Sequence, residues 1–253
     1  MDYVELYNSI YLFGNGTFVE EYLSLLSNSL YLLPSKLSTS LLPSILDQSI
    51  QNSSLHTTKR DLLKRVQLKM KNDPSLLYVY QSLYIDIEIP TPLYIFFTSS
   101  IQYKYQMVFS QLIHYHICSY SLKKCYELQQ FFRRQEEQIE ESQLFFNIIY
   151  QLQIQLSLFF ENLENYFFYD ILYVEYNQLL QKLTRCKSID ELSDLHHQFI
   201  NTIIHHLFIE EEENPIKKLV NEICKICYQY CTVCVCLLWC AFEECRNNCI
   251  NSY

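Results

Sequence analysis

The chain has 253 residues, 49% of them hydrophobic, a formal charge of −9 and only two glycines. That apolar share can build a core, so global disorder is excluded, and the length allows one large domain or two small ones. The acidic balance, with Lys and Arg spread along the chain, argues against a nucleic-acid surface, while two glycines in a single tripeptide exclude a glycine-rich nucleotide loop and favour long helices.

Met1-Asp2-Tyr3 lacks the basic start and apolar core of a signal peptide. The uncharged run 226–242 contains Gln229 and several cysteines. It falls short of the roughly 20 apolar residues of a membrane span. A soluble intracellular protein is expected.

Residues 3–13 read as a short helix ended by Gly14-Asn15-Gly16, where glycine makes left-handed backbone angles cheap. A second helix is expected from Thr17, with Thr17 and Glu20 as a capping box and Phe18, Tyr22, Leu25 and Leu26 on its apolar face, broken at Pro34-Ser35. Residues 41–51 make a third helix with Pro43 in its first turn, and 52–58 a loop. The basic stretch 59–71 reads as an amphipathic turn or helix whose charges form a solvated face.

Residues 76–89 are rich in β-branched and aromatic residues and partly alternate, so one or two short strands are expected there. Pro90 and Pro92 follow, then the polar cap Thr98-Ser99-Ser100 and a long helix. Ile101, Tyr105, Val108, Phe109, Leu112 and Ile113 fall on one face of it at a 3.6-residue period. The joint at 83–112 is expected to be the structural centre.

A charged segment, 133–141, precedes the next helix. Over 144–163, Leu152, Ile154, Leu156 and Leu158 alternate like a strand, but the stripe Phe145, Ile149, Leu152, Leu156, Phe160 and Leu163 favours helix, continuing to Leu183. Ser188 and Glu191 form a second capping box, opening a helix that buries Leu192, Leu195, Phe199, Ile203 and Leu207. Glu210 to Glu213 read as a solvated acidic loop, and Pro215 opens a last helix that is apolar nearly all round.

Eight of the eleven cysteines lie between Cys224 and Cys249. Cys224, Cys227, Cys231 and Cys234 have the spacing of a four-thiolate zinc site. On one helix, however, ten residues rise about 15 Å, too far for one tetrahedral ion. Steps of 3, 4 and 3 instead mark a buried cysteine face, with thiols unpaired in a reducing compartment. The histidines (His114, His116, His196, His197, His205 and His206 among them) form no H-E-x-x-H motif and pair with no nucleophile. His196 lies beside a buried face and reads as a hydrogen-bonded structural histidine. No enzyme, cofactor or metal is expected.

Six blocks in order resemble the C-terminal half of the gamma-tubulin complex component family, the spindle-pole-body and Grip-motif proteins. The sequence from Tyr11 to Phe18 (YLFGNGTF) is similar to the family's YFLLGQGDF, with Thr17 in place of the acid. ILDQSI at 45–50 with Ser53-Ser54 is similar to LEEAI…SS. IEIPTPL at 87–93 resembles Y-x-V-x-W-P-L with Thr91 for the tryptophan, and KYQMVF at 104–109 with Leu112 resembles KYQ-x-IF-x-x-L. Asn162-Leu163, Tyr166 and 171–176 resemble NLQYY…V-x-E-x-x-W, with Tyr173 for the acid and Tyr176 for the tryptophan. Asp190 and HHQFI at 196–200 resemble D…H-x-x-Y-L.

The resemblance implies a mainly α, elongated helical-bundle domain over 1–214; at most one or two short strands are expected near 76–89, and the Cys-rich helix 215–253, which has no counterpart among the family's motifs, is expected to pack on the same domain. It implies a non-catalytic scaffold that binds gamma-tubulin alongside other gamma-tubulin complex subunits. The implied location is the cytoplasm and cytoskeleton, at a microtubule-organizing centre or spindle pole. Gly14, Gly16, Pro92, Tyr105, Phe109, Tyr166, His196 and Phe199 match the family's motifs as structural positions. Lys104, Arg133 and Arg134 are candidate partner contacts. A general helical scaffold docking another partner through its last helix, or a Cys-rich zinc-binding protein, are the alternatives.

Overall fold

The structure is a computed structural model that describes residues 2–27, 29, 34–76, 78–133, 140–210 and 214–250, without the side chains of 131–133, 140–146 and 237–250. The expected charged segment 133–141 and acidic loop therefore lie largely outside the described residues. The fold is mainly α, with one two-stranded sheet among the described residues. Two compact units divide it: 1–114 with 166–211, and 115–165 with 212–253. The boundary expected near 214/215 falls beside the second stretch of the latter, whose first stretch comes from mid-chain.

In the first unit, α1 (Asp2–Tyr11) buries Leu6, Tyr7, Ile10 and Tyr11, one face of a helix. The turn after it corrects the glycine expectation. Phe13, not a glycine, takes the left-handed angle (φ 59°), and no glycine has positive φ. The Gly14 and Asn15 amides then fold back onto the carbonyls of Asn8 (3.0 Å) and Ser9 (3.2 Å).

Helix α2 (Gly16–Leu26) is capped by Asn15, whose side-chain oxygen accepts from the Phe18 amide at 3.0 Å. Thr17 is not the cap: its hydroxyl donates to Asn15 Oδ1 (2.8 Å), because the asparagine two residues earlier already fills that role. The helix ends at Leu26, well before Pro34, which opens a 3₁₀ turn. Helix α3 (Leu42–Gln51) has Pro43 in its first turn as expected.

The basic stretch holds only one helical turn, α4 (Arg60–Leu63), before β1 (Val66–Met70). Val66 and Leu68 alternate with Gln67 and Lys69, and period two wins because an antiparallel partner is available. After the short α5 (Val79–Ser82), β2 (Leu83–Ile87) supplies it, with Val66 opposite Ile87 and Met70 opposite Leu83. One strand thus lies within the stretch expected to form strands and the other ahead of it.

Helix α6 (Ser99–Arg133) opens at Thr98, whose hydroxyl accepts from the Ile101 amide (3.4 Å). The six positions expected on its apolar face are all buried. The first unit closes with a π-helical segment (Tyr166–Tyr173), α8 (Val174–Leu183) and α9 (Ile189–His206). The wider π turn lets neighbours Ile171 and Leu172 both face inward with Phe167. Ser188 caps α9 by accepting from the Glu191 amide (3.1 Å), while the Glu191 carboxylate reaches the Lys187 amide (3.0 Å). Half of the expected capping box is therefore displaced by one residue. Phe199, Ile203 and Leu207 are buried, while Leu192 and Leu195 are half-buried.

The second unit comprises α6 from residue 115, α7 (Glu140–Asn165) and α10 (Pro215–Ile250). Tyr126 meets Tyr150 and His116 meets Glu164 (2.7 Å), so α6 and α7 run antiparallel. The expected inward stripe of α7 needs one correction. Leu152 is exposed and Gln153 is buried in its place, because Gln153 is held on both sides. Its Nε2 donates to the Leu122 carbonyl (2.6 Å), and its Oε1 accepts from Gln129 (2.9 Å) and the Tyr230 hydroxyl (2.7 Å).

No helix among the described residues is long and apolar enough to cross a membrane.

Candidate functional site

The joint at 83–112 lies against a cluster of aromatic rings in the first unit. Tyr7 on α1 packs tilted against Phe97 (4.5 Å between ring centres) and Tyr11 (5.0 Å) and edge-on against Tyr105 (4.8 Å). Phe109 meets Tyr11, Phe13 and Tyr22 edge-on. Each such pair adds about 0.5–1.5 kcal/mol beyond area burial.

The sequence places rings at Tyr7 and Tyr11 and again at Tyr105 and Phe109, each pair one helical turn apart, so α1 and α6 meet along matching stripes. Tyr11 also donates to the Ile85 carbonyl (2.9 Å), tying α1 to β2. Burial pushes the Tyr7, Tyr11 and Tyr105 hydroxyls well above their ordinary range, so all three stay protonated.

His196 on α9 completes the cluster. Its Nδ1 lies 3.3 Å from the Phe96 carbonyl, which can only accept, so Nδ1 carries the proton. Nε2 is then the acceptor for the Tyr105 hydroxyl at 2.9 Å. Burial pushes the imidazole down to about 4, and it is neutral at pH 7. Both ring nitrogens and the Tyr105 hydroxyl are thus used inside the protein. The arrangement positions α6, α9 and the segment after Pro92 relative to one another.

The residues singled out from the sequence differ in where they lie. Tyr105, Phe109, His196 and Phe199 are buried together with this core. Gly14 faces Asn8, where a Cβ would lie 2.3 Å from Nδ2, while a Cβ on Gly16 would meet nothing within 4 Å. Pro92 is exposed, follows a cis peptide bond and precedes the 3₁₀ turn Leu93–Ile95. Lys104 is half-buried, and its amine donates to Asn201 on α9 (2.5 Å). Arg133 ends α6 with its side chain outside the described residues, and Arg134 lies outside them altogether.

Tyr166 stands at the start of an outward row that the sequence reading did not single out. Tyr166 is 40% exposed, Tyr169 67% and Tyr173 65%, all on the π-helical segment. Large aromatic rings left in water on an irregular helix are the kind of anchor that protein interfaces use. Their spacing of three and four was visible in the sequence, but helical period alone does not say which face is covered.

Comparison with known proteins gives these features a context. A family model described as gamma tubulin complex component C-terminal matches residues 1–249. Gamma-tubulin complex component 4 of Homo sapiens is 24% identical over 154 residues, which is 61% of this chain and 22% of that protein. Its Mus musculus counterpart is 23% identical over the same share of each. The match spans about a fifth of the length of these relatives.

Proposed function

We propose a function from one premise: the chain belongs to the gamma tubulin complex component C-terminal family. The chain is a non-catalytic helical scaffold that binds gamma-tubulin within a gamma-tubulin complex and thereby serves microtubule nucleation. It acts in the cytoplasm and cytoskeleton, at a microtubule-organizing centre or spindle pole, beside other subunits of the complex and without nucleic acid. The observation that carries this reading is the family match over nearly the whole chain. The aromatic core supports it, since the polar side-chain atoms of Tyr11, Tyr105 and His196 are engaged in holding helices together.

The docking surface is assigned to the exposed tyrosines of the π-helical segment, Tyr169 and Tyr173 foremost, rather than to the buried motif residues. Lys104 acts by bracing α6 on α9 through Asn201.

The test is capture of purified gamma-tubulin by the 253-residue chain, after helical circular dichroism has established folding. The folded wild type is expected to retain gamma-tubulin, and Tyr169→Ala with Tyr173→Ala to weaken retention about tenfold or more. A folded wild-type chain that retains none would overturn the reading.

A second reading is favoured by the exposed Ile216, Leu219, Ile226 and Val233 on α10. They suit a scaffold that docks a different partner through its last helix. Removal of 215–253 would then abolish association, whereas the tyrosine pair would not affect it.

A further inference from the structure

In the second unit, Cys118 and Cys125 on α6 and Cys224, Cys227, Cys231 and Cys234 on α10 are all buried. Cys118 and Cys224 have their sulphurs within 4.8 Å of each other. Cys227 also contacts the Cys118 thiol, and its sulphur lies 3.8 Å from the Cys118 carbonyl. One turn on, Cys231 contacts the thiols of both Cys227 and Cys125, and the Cys125 sulphur lies 3.9 Å from the Cys231 carbonyl. Residue numbers rise together across this seam, so α6 and α10 run parallel there. The separation of seven from Cys118 to Cys125 matches that from Cys224 to Cys231, a heptad register that repeats the contact after two turns.

A single cysteine stripe behaves as a small apolar face. Two stripes in register do more, because they place sulphur against sulphur in the unbroken order Cys224, Cys118, Cys227, Cys231, Cys125.

We infer that this chain of five thiols is a binding site for a soft monovalent metal ion, Cu(I). Thiolate sulphur selects soft ions, Cu(I) and zinc foremost among them. Zinc takes four ligands in a tetrahedron, and four thiolates around it would leave two negative charges in a buried seam, which desolvation opposes. Cu(I) accepts two sulphurs in line, which neighbouring thiols of this order offer, Cys118 and Cys224 with their sulphurs within 4.8 Å among them. With one ligand ionised, the Cu(I) complex is neutral.

Binding forms a Cu–S bond as an S–H bond breaks heterolytically. The proton goes to the buffer, and neither copper nor sulphur changes oxidation state. The site differs from the four-cysteine zinc pattern on α10 alone, since it needs the two thiols of α6. It is independent of gamma-tubulin binding.

The test is anaerobic titration of the reduced full chain with Cu(I) delivered as its bicinchoninate complex, with Zn(II) titrated in parallel. The wild type is expected to withdraw Cu(I) from the chelator and to show the luminescence of Cu(I)–thiolate shielded from water, with preference for Cu(I) over Zn(II). Replacing the four tail cysteines (Cys236→Ser, Cys240→Ser, Cys245→Ser, Cys249→Ser) is expected to leave that uptake unchanged. Cys118→Ala with Cys125→Ala is expected to weaken it about 100-fold. Failure of the wild type to compete with bicinchoninate, loss of uptake in the tail variant, or tighter retention of Zn(II) would each overturn the proposal. So would wild-type affinity in a folded Cys118→Ala, Cys125→Ala chain; if that variant does not fold, the wild-type luminescence and the tail variant decide.

Discussion

Tyr105 and His196, 91 residues apart in sequence, share a 2.9 Å hydrogen bond in which the tyrosine hydroxyl donates to imidazole Nε2. The other ring nitrogen is fixed by the Phe96 carbonyl, so one histidine joins α6, α9 and the segment between Pro92 and α6. A neutral imidazole suits this bond, because an imidazolium would have no lone pair to accept the hydroxyl proton.

This bond makes the fold acid-sensitive in a defined window. The His196 imidazole is pushed from an ordinary 6.5 down to about 4 by burial, with His197 adding to the depression. Between those values the unfolded chain binds more protons than the folded one, so stability falls as pH falls. Stability from this source is complete above about pH 6.5 and lost progressively toward pH 4, amounting to roughly 3 kcal/mol in all. Urea unfolding at pH 7, 6 and 5 should show the decline, and His196→Leu should flatten it. An equal pH slope in wild type and variant would remove His196 as the cause.

The aromatic core distinguishes hydroxyls that bond from one that does not. Tyr11 donates to Ile85 and Tyr105 to His196, whereas the buried Tyr7 hydroxyl has no hydrogen-bond partner among the described residues. Tyr105→Phe should therefore cost about 1–3 kcal/mol, since it strands the buried Nε2 of His196. Tyr7→Phe removes a desolvated hydroxyl and should be neutral or slightly stabilising. Denaturation midpoints of the two variants decide it; a larger loss for Tyr7→Phe than for Tyr105→Phe would contradict the assignment.

The apolar face of α6 was legible in the sequence because six residues at a 3.6 period admit one reading. The strand at Val66–Met70 was not, since lysines and arginines around it mimic an amphipathic helix and only the partner at Leu83–Ile87 settles the period. Gln153 escaped for a related reason. A buried glutamine is invisible to hydrophobic pattern, and its burial depends on Leu122, Gln129 and Tyr230, which lie on two other helices. The thiol seam could have been found: the common separation of seven in Cys118–Cys125 and Cys224–Cys231 was present, but it points to a pairing only once two helices are known to meet.

Gln153 offers a test of that buried network. Replacing it with leucine restores the simple hydrophobic stripe, yet leaves the Leu122 carbonyl, Gln129 and the Tyr230 hydroxyl short of partners. The expected loss is about 2–4 kcal/mol in a coupled network. Combining Gln153→Leu with Gln129→Leu removes two polar ends together and should be less destabilising than the sum of the single changes, as a double-mutant cycle read by urea unfolding would show. Additivity would mean that the two amides do not act as a unit.

The two glycines should respond oppositely to alanine. At Gly14 a methyl group would stand 2.3 Å from Asn8 Nδ2 and 3.1 Å from the Asn8 carbonyl oxygen. The side-chain amide can swing away, but that carbonyl also accepts from the Gly14 amide (3.0 Å), so the backbone cannot retreat without losing the turn. Gly14→Ala should cost about 1–3 kcal/mol, as overpacking does. Gly16 lies at the start of α2 with open space beyond it and no positive φ. Gly16→Ala should add about 0.4–1 kcal/mol by restricting the unfolded chain. Thermal unfolding of the two variants compares them directly, and a stabilised Gly14→Ala would show that the Phe13 turn tolerates a side chain where close approach to Asn8 forbids it.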